Sequence, residues 1–266
     1  MPRLSLALAA SLLLAGLHAQ SPIAQPGGNA QRVERVRALL KELAPATNEE
    51  YSRITSEYKE RHLSEIRKVI QSGILESLGE SDDPTRVAKA LQSLADPDGR
   101  LPGGSTFVIR AQIAGITGIV VGYPIYYSRS AFPTTRVVID GYRRTGSVYQ
   151  LAAETGQALE NCGLTLTELE SPRSNEAWFL AHGQLYGDQV YHEVARIYSF
   201  DGYHFKDVWA PDAAMDHPTF KVSNGAVVIM YLGPNQATVG YHQATIEDTV
   251  GLTSGGAAVT TRVLIP

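Results

Sequence analysis

The residues with the widest chemical range in this chain are His62, His182, His192, His204, His217 and His242, together with a single cysteine, Cys162. Five of these histidines lie beyond residue 100, so a metal or hydrolytic site would form only if folding gathers them, because no pair has the spacing of a known ligand motif. His192-Glu193-Val194-Ala195-Arg196 opens like a zincin helix, but Arg196 stands where the second histidine belongs and the segment reads as strand. Asp212, Asp216 and His217 form a polar cluster near Pro211 and Pro218 that suits a surface loop as well as a site. Cys162 has no basic neighbour in Glu160-Asn161-Cys162-Gly163 to stabilise a thiolate, and it reads as a turn entering a strand. As the only cysteine it forms no intramolecular disulfide.

Other chemistries leave no mark. Gly251-Leu252-Thr253-Ser254-Gly255 does not match a nucleophile elbow. Phosphate-binding, dinucleotide-binding and EF-hand loops have no counterpart, and the acids mark no glycosidase pair. The sequence therefore assigns no catalytic, cofactor-binding or metal residue.

The elements that would position any site fall in two regions. Residues 30–100 hold 12 Lys/Arg and 13 Asp/Glu but only Tyr51 and Tyr58 among 21 aromatics. A boundary is expected near Asp98-Gly99-Arg100-Leu101-Pro102-Gly103-Gly104. Val33, Val36, Leu40 and Leu43 recur at helical spacing, and Pro45 should end that helix. Thr47 and Glu50 form a candidate capping box for a second helix, with a stripe through Ile54, Tyr58, Ile66, Val69, Ile70 and Leu78. Asp83-Pro84 reads as an N-cap with proline at the first helical position, followed by Val87, Leu91 and Leu94. The charge run is read as a solvated helix face, and the three helices either dock on the second region or form a stalk for a partner.

Residues 101–266 alternate with the period of strands from Phe107 onward. Turn signals stand at Asp140-Gly141, Thr155-Gly156, Asp201-Gly202 and Asn224-Gly225. The expected fold is segregated α+β: about three helices, then an antiparallel β domain forming a sandwich, barrel or incomplete propeller-like array. Ile139-Asp140-Gly141-Tyr142 is echoed by Phe200-Asp201-Gly202-Tyr203. A two-residue turn at Asp201-Gly202 would pair Phe200 with Tyr203, Tyr198 with Phe205, Arg196 with Asp207 and Val194 with Trp209, collecting the aromatic residues on one face as core or platform.

The first residues bear on destination. Arg3, an apolar run from Leu4 to Leu14, and Leu17-His18-Ala19 have the form of a signal peptide cleaved after Ala19. That run is shorter than the roughly 20 residues of a membrane span. Residues 20–29 are expected to be a disordered linker. Removing residues 1–19 moves the formal charge from -4 to -5, which gives no general attraction to nucleic acid. The expectation is a secreted or periplasmic protein that binds a glycan or an envelope protein without catalysis or a cofactor. The alternative is an extracytoplasmic hydrolase with a histidine and carboxylates assembled by the fold.

Overall fold

The computed structural model describes residues 28–44, 54–101, 105–127, 134–171, 173–186, 192–211, 215–223, 226–235, 242–252 and 258–265. The expected signal peptide, most of the expected linker and the Thr47–Glu50 capping box lie outside them.

Among the described residues three helices come first. In α1 (Asn29–Leu43), Val36, Leu39 and Leu43 are buried on one stripe. In α2 (Ser56–Glu80), Thr55 is the N-cap, accepting a hydrogen bond from the Tyr58 N–H, and Leu63, Ile66, Ile70, Ile74 and Leu78 face inward. In α3 (Pro84–Ala95), the Asp83 carboxylate accepts from the Thr85 N–H at 3.1 Å, as the Asp-Pro signal predicts. Gly73 lets α2 approach α3, since a Cβ there would lie 2.5 Å from Leu94 Cδ1.

Thirteen strands among the described residues follow in three antiparallel meanders. The first contains β1 (Phe107–Ile113), β2 (Ile116–Tyr126), β3 (Thr135–Thr145) and β4 (Val148–Glu154), with the short β5 (Leu159–Glu160) also on β3. The second contains β6 (Thr165–Leu169), β7 (Ala177–Gln184), β8 (His192–Phe200) and β9 (Phe205–Trp209). The third contains β10 (Met215–Ser223), β11 (Ala226–Asn235), β12 (His242–Leu252) and β13 (Ala258–Ile265). The last two meanders form one sheet ordered β13-β12-β11-β10-β8-β7-β6, with β9 on β8. The fold is segregated α+β, and no closed barrel is formed among the described residues.

Strand alternation sorts the apolar side chains into three cores in series. Ile119, Val121, Tyr123, Ile125, Val138 and Tyr142 of the first sheet pack against the helices. The helical region is therefore docked and shares a core with that sheet. Burying Ile66, Ile70 and Ile74 there contributes roughly 1.5–3 kcal/mol per side chain. The opposite face, with Val120, Val137 and Ile139, packs on Phe179, Tyr198 and Phe200. On the other side of β7 and β8, Trp178, Leu180 and Ile197 share a core with Val227, Ile229, Tyr231, Ile246 and Val250, so the eight-stranded sheet curls over itself.

Three expectations need correction. Asp140-Gly141 is not a turn. It lies inside β3, where Gly141 gives room to Phe200, whose ring carbon would be 2.7 Å from a Cβ. Asp216 and His217 lie in β10, not in a loop, and Asp212 lies outside the described residues. The β8–β9 hairpin also has a different register, pairing Phe200 with Phe205 and Tyr198 with Asp207, and a bulge then sets Trp209 opposite Ile197. The cause is Asp201, whose carboxylate accepts from the N–H groups of Tyr203 and His204 at 2.8 and 2.7 Å and closes a wider loop. Gly202 has φ +89° in that loop. The Arg196–Asp207 ion pair forms at 3.2 Å. Tyr198 and Phe200 are core, Phe205 packs against them, Trp209 joins the third core, and Tyr203 is exposed beneath the Arg143 guanidinium.

Candidate functional site

The described histidines are carried by different elements, with His192 of β8 opposite Asp216, the neighbour of His217 in β10. The Nδ1 of His182, on β7, lies 2.6 Å from Glu193 Oε2 of β8, and its ring meets Phe220 at a centroid distance of 4.8 Å. His62 is buried in α2 between Glu42, at 2.7 Å from Nε2, and the Tyr58 carbonyl, at 2.8 Å from Nδ1. His204 sits in the exposed Asp201 loop. His192 opens β8, His217 has φ 45° in β10, and the His242 side chain lies outside the described residues. Among the described residues no three His, Cys, Asp or Glu side chains lie close enough to hold a metal ion.

Cys162 is fully buried, and burial, with Glu193 and Glu160 nearby, pushes its thiol up to about 12. It is a packing residue with no thiolate character at neutral pH.

The strongest electrostatics belong to two buried carboxylates absent from the sequence analysis as site residues. Asp140 of β3 is fully buried and accepts from Tyr123 at 3.0 Å and from Arg67 Nε at 3.0 Å. Arg67, carried by α2, also donates to the carbonyls of Thr155 and Ile139 at 2.6 and 3.3 Å. Burial raises the Asp140 pKa against the opposing pull of Arg67. Burial also works against the Arg67 charge, but Asp140, Tyr123 and Glu154 outweigh it and hold the guanidinium above its ordinary range.

The third meander repeats this arrangement. Asp248 is fully buried and accepts from Tyr231 at 3.1 Å and from Arg262 at 2.8 and 2.9 Å. In both meanders the tyrosine precedes the aspartate by 17 residues. The registers match as well, with Asp140 opposite Val121 and Tyr123 opposite Val138, as Asp248 is opposite Ile229 and Tyr231 opposite Ile246. These clusters are saturated with internal bonds and serve packing. The Tyr-to-Asp spacing, recurring in two β-rich stretches, is the signal that could have revealed them.

Room for a ligand lies elsewhere, where the ends of α1 and α3 and the start of α2 meet the end of β2. A cavity of about 270 Å³ is lined there by Arg37, Lys41 and Leu40 of α1, Asp98 and Arg100 after α3, and Tyr126 of β2. A second, of about 210 Å³, lies at the start of α2 beside Thr55, Ser56 and Lys59. Tyr127 lines both. Its hydroxyl is buried with no hydrogen-bond partner among the described residues. Burial raises its pKa, and the Lys59 ammonium, 5.2 Å from the ring centroid, lowers it.

The two acids in the wall are already committed. Asp98 pairs with Arg37 at 2.9 Å and Arg100 at 3.0 Å, and Asp96 accepts the N–H groups of Arg100 and Leu101 at 2.7 and 3.0 Å. Lys41, Lys59 and the N-terminal end of α2 add positive charge to the walls, against the negative dipole ends of α1 and α3 at Ala44 and Ala95. The arrangement can hold an anionic group beside aromatic and aliphatic surface. Among its described lining residues it offers no histidine and no unengaged carboxylate for proton transfer. Comparison with known proteins found no matching family model, no matching curated protein and no matching solved structure.

Proposed function

We propose that this chain is an exported, non-catalytic binding protein whose ligand is an acidic glycan fragment held around Tyr127. The observation that carries the reading is the paired cavity, which joins Tyr126, Tyr127 and Leu40 to Lys41 and Lys59 while its acids Asp96 and Asp98 are already bonded. The half-buried Tyr126 and Leu40 suit the apolar side of a sugar ring, with Tyr127 part of the core behind them, and the lysines with the α2 terminus suit a carboxylate or sulfate. The amino-terminal sequence supports export. Among the described residues no helix is long and apolar enough to cross a membrane.

The test is calorimetric titration of the purified chain with oligouronate and with the corresponding neutral oligosaccharide. Saturable oligouronate binding that weakens by more than about tenfold in Lys41→Glu/Lys59→Glu supports the reading, each tenfold step being about 1.4 kcal/mol. Equal binding of both sugars, or none, overturns it. Cleavage of the oligouronate that disappears in His182→Ala would install the hydrolase reading instead, on the His182–Glu193 pair.

A further inference from the structure

We infer that the outer face of the third meander is the contact between two copies of this chain. The repeated Tyr-Asp arrangement makes the first and third meanders comparable strand by strand. In the first, the face opposite Tyr123 and Asp140 is covered by a β layer, in which Val120, Val137 and Ile139 meet Phe179, Tyr198 and Phe200. In the third, the corresponding face opposite Tyr231 and Asp248 carries Val228, Met230, Val259 and Val263 interleaved with Thr219, Thr245, Thr249 and Thr261. Met230, Val259 and Val263 are 38%, 45% and 47% exposed. Exposed valine and methionine set among threonines on a sheet face outside the core have the composition of a contact surface.

Charge identifies the occupant. Lys221, opposite Val228, and Glu247, opposite Met230, lie on this same face, two strands and two residues apart. A two-fold axis lying in the interface and bisecting the line between them brings Lys221 of each copy opposite Glu247 of the other, with Val228 and Met230 between. The face is thus complementary to itself. Four strands about 4.8 Å apart and about 30 Å long present roughly 600 Å², close to the approximately 800 Å² per partner of a standard interface. This inference does not depend on the ligand around Tyr127, which follows β2 at the helical end of the molecule.

Sedimentation equilibrium of the purified chain between about 1 and about 100 μM reads it directly. The expected result is twice the chain mass for the parent and the single mass for Met230→Glu/Val263→Glu, with circular dichroism showing both folded. Lys221→Glu should weaken association at least tenfold, and Lys221→Glu/Glu247→Lys should restore it. A parent that stays monomeric overturns the proposal, as does a dimer indifferent to the charge reversal, which would point to pairing along β13, the last strand in the sheet order. A monomer that sediments with phosphatidylglycerol vesicles overturns it in favour of a lipid surface.

Discussion

The first and third meanders place a tyrosine and a fully buried aspartate at the same register positions, yet satisfy the carboxylate in different ways. Asp248 receives Arg262 from its cross-strand partner position on β13, within one hairpin. Asp140 receives Arg67 from α2, 73 residues away, and the Arg67 side chain is only 14% exposed against 42% for Arg262. A buried carboxylate must find a cation or stay protonated. When the cation comes from the next strand the bond is local. When it comes from a helix, the same chemistry fixes the helical layer to the sheet.

The largest effect follows from removing the helix-borne cation. Arg67→Ala leaves Asp140 buried without its counter-charge and should cost about 3–5 kcal/mol in urea denaturation. A loss below about 1 kcal/mol would mean that water or protonation satisfies Asp140 and that the helices are held by apolar packing alone.

Next come the two Asp-Gly sites, which have the same dipeptide in different settings. Gly141→Ala crowds the Phe200 ring, and Gly202→Val forces a β-branched residue to φ +89° with its Cβ 2.9 Å from Ile116 Cδ1. Each should cost about 1–3 kcal/mol, through overpacking at Gly141 and backbone strain at Gly202. A melting temperature unchanged in either variant would contradict the close approach at that position.

Alkali should act mainly on the helix-covered meander. Burial holds the phenols of Tyr123 and Tyr142 well above 10.0. The unfolded chain releases these protons near the ordinary value and the folded chain retains them, so their stabilisation is complete below that pH and is lost as pH rises above it. Tyr142→Phe removes a buried hydroxyl that has no hydrogen-bond partner among the described residues. It should leave stability near pH 7 within about 1 kcal/mol and flatten the alkaline decline measured by denaturation at several pH values. An undiminished decline would place the responsible groups elsewhere.

Cys162, beside neither cluster, gives the smallest effect. Its thiol, pushed up to about 12 and fully buried, should react with an aromatic disulfide reagent only as fast as the chain unfolds. Immediate stoichiometric labelling of the folded protein would refute its burial.

How much of this was legible follows the range of the interactions. Asp83-Pro84 announced α3 because a cap acts within three residues. Period-two alternation announced the strands, and the helical stripes their buried faces. Asp140-Gly141 was misleading because the dipeptide that suits a turn also supplies, inside β3, a carboxylate for Arg67 and space for Phe200. No local signal reports a partner 73 residues away. The β8–β9 register shifted because the Asp201 side chain bonds two backbone N–H groups, a choice that β-periodicity does not encode. The cavity around Tyr127 draws on three helices and one strand and leaves no spacing in the chain.

The most direct measurement is a pair of double-mutant cycles in urea denaturation, Arg67→Ala with Asp140→Asn and Arg262→Ala with Asp248→Asn. Coupling of about 3 kcal/mol is expected for the helix-to-sheet pair and about 1 kcal/mol for the more exposed pair within the hairpin. Equal couplings, or a larger one at Arg262, would contradict the claim that Arg67 fixes the helical layer to the sheet.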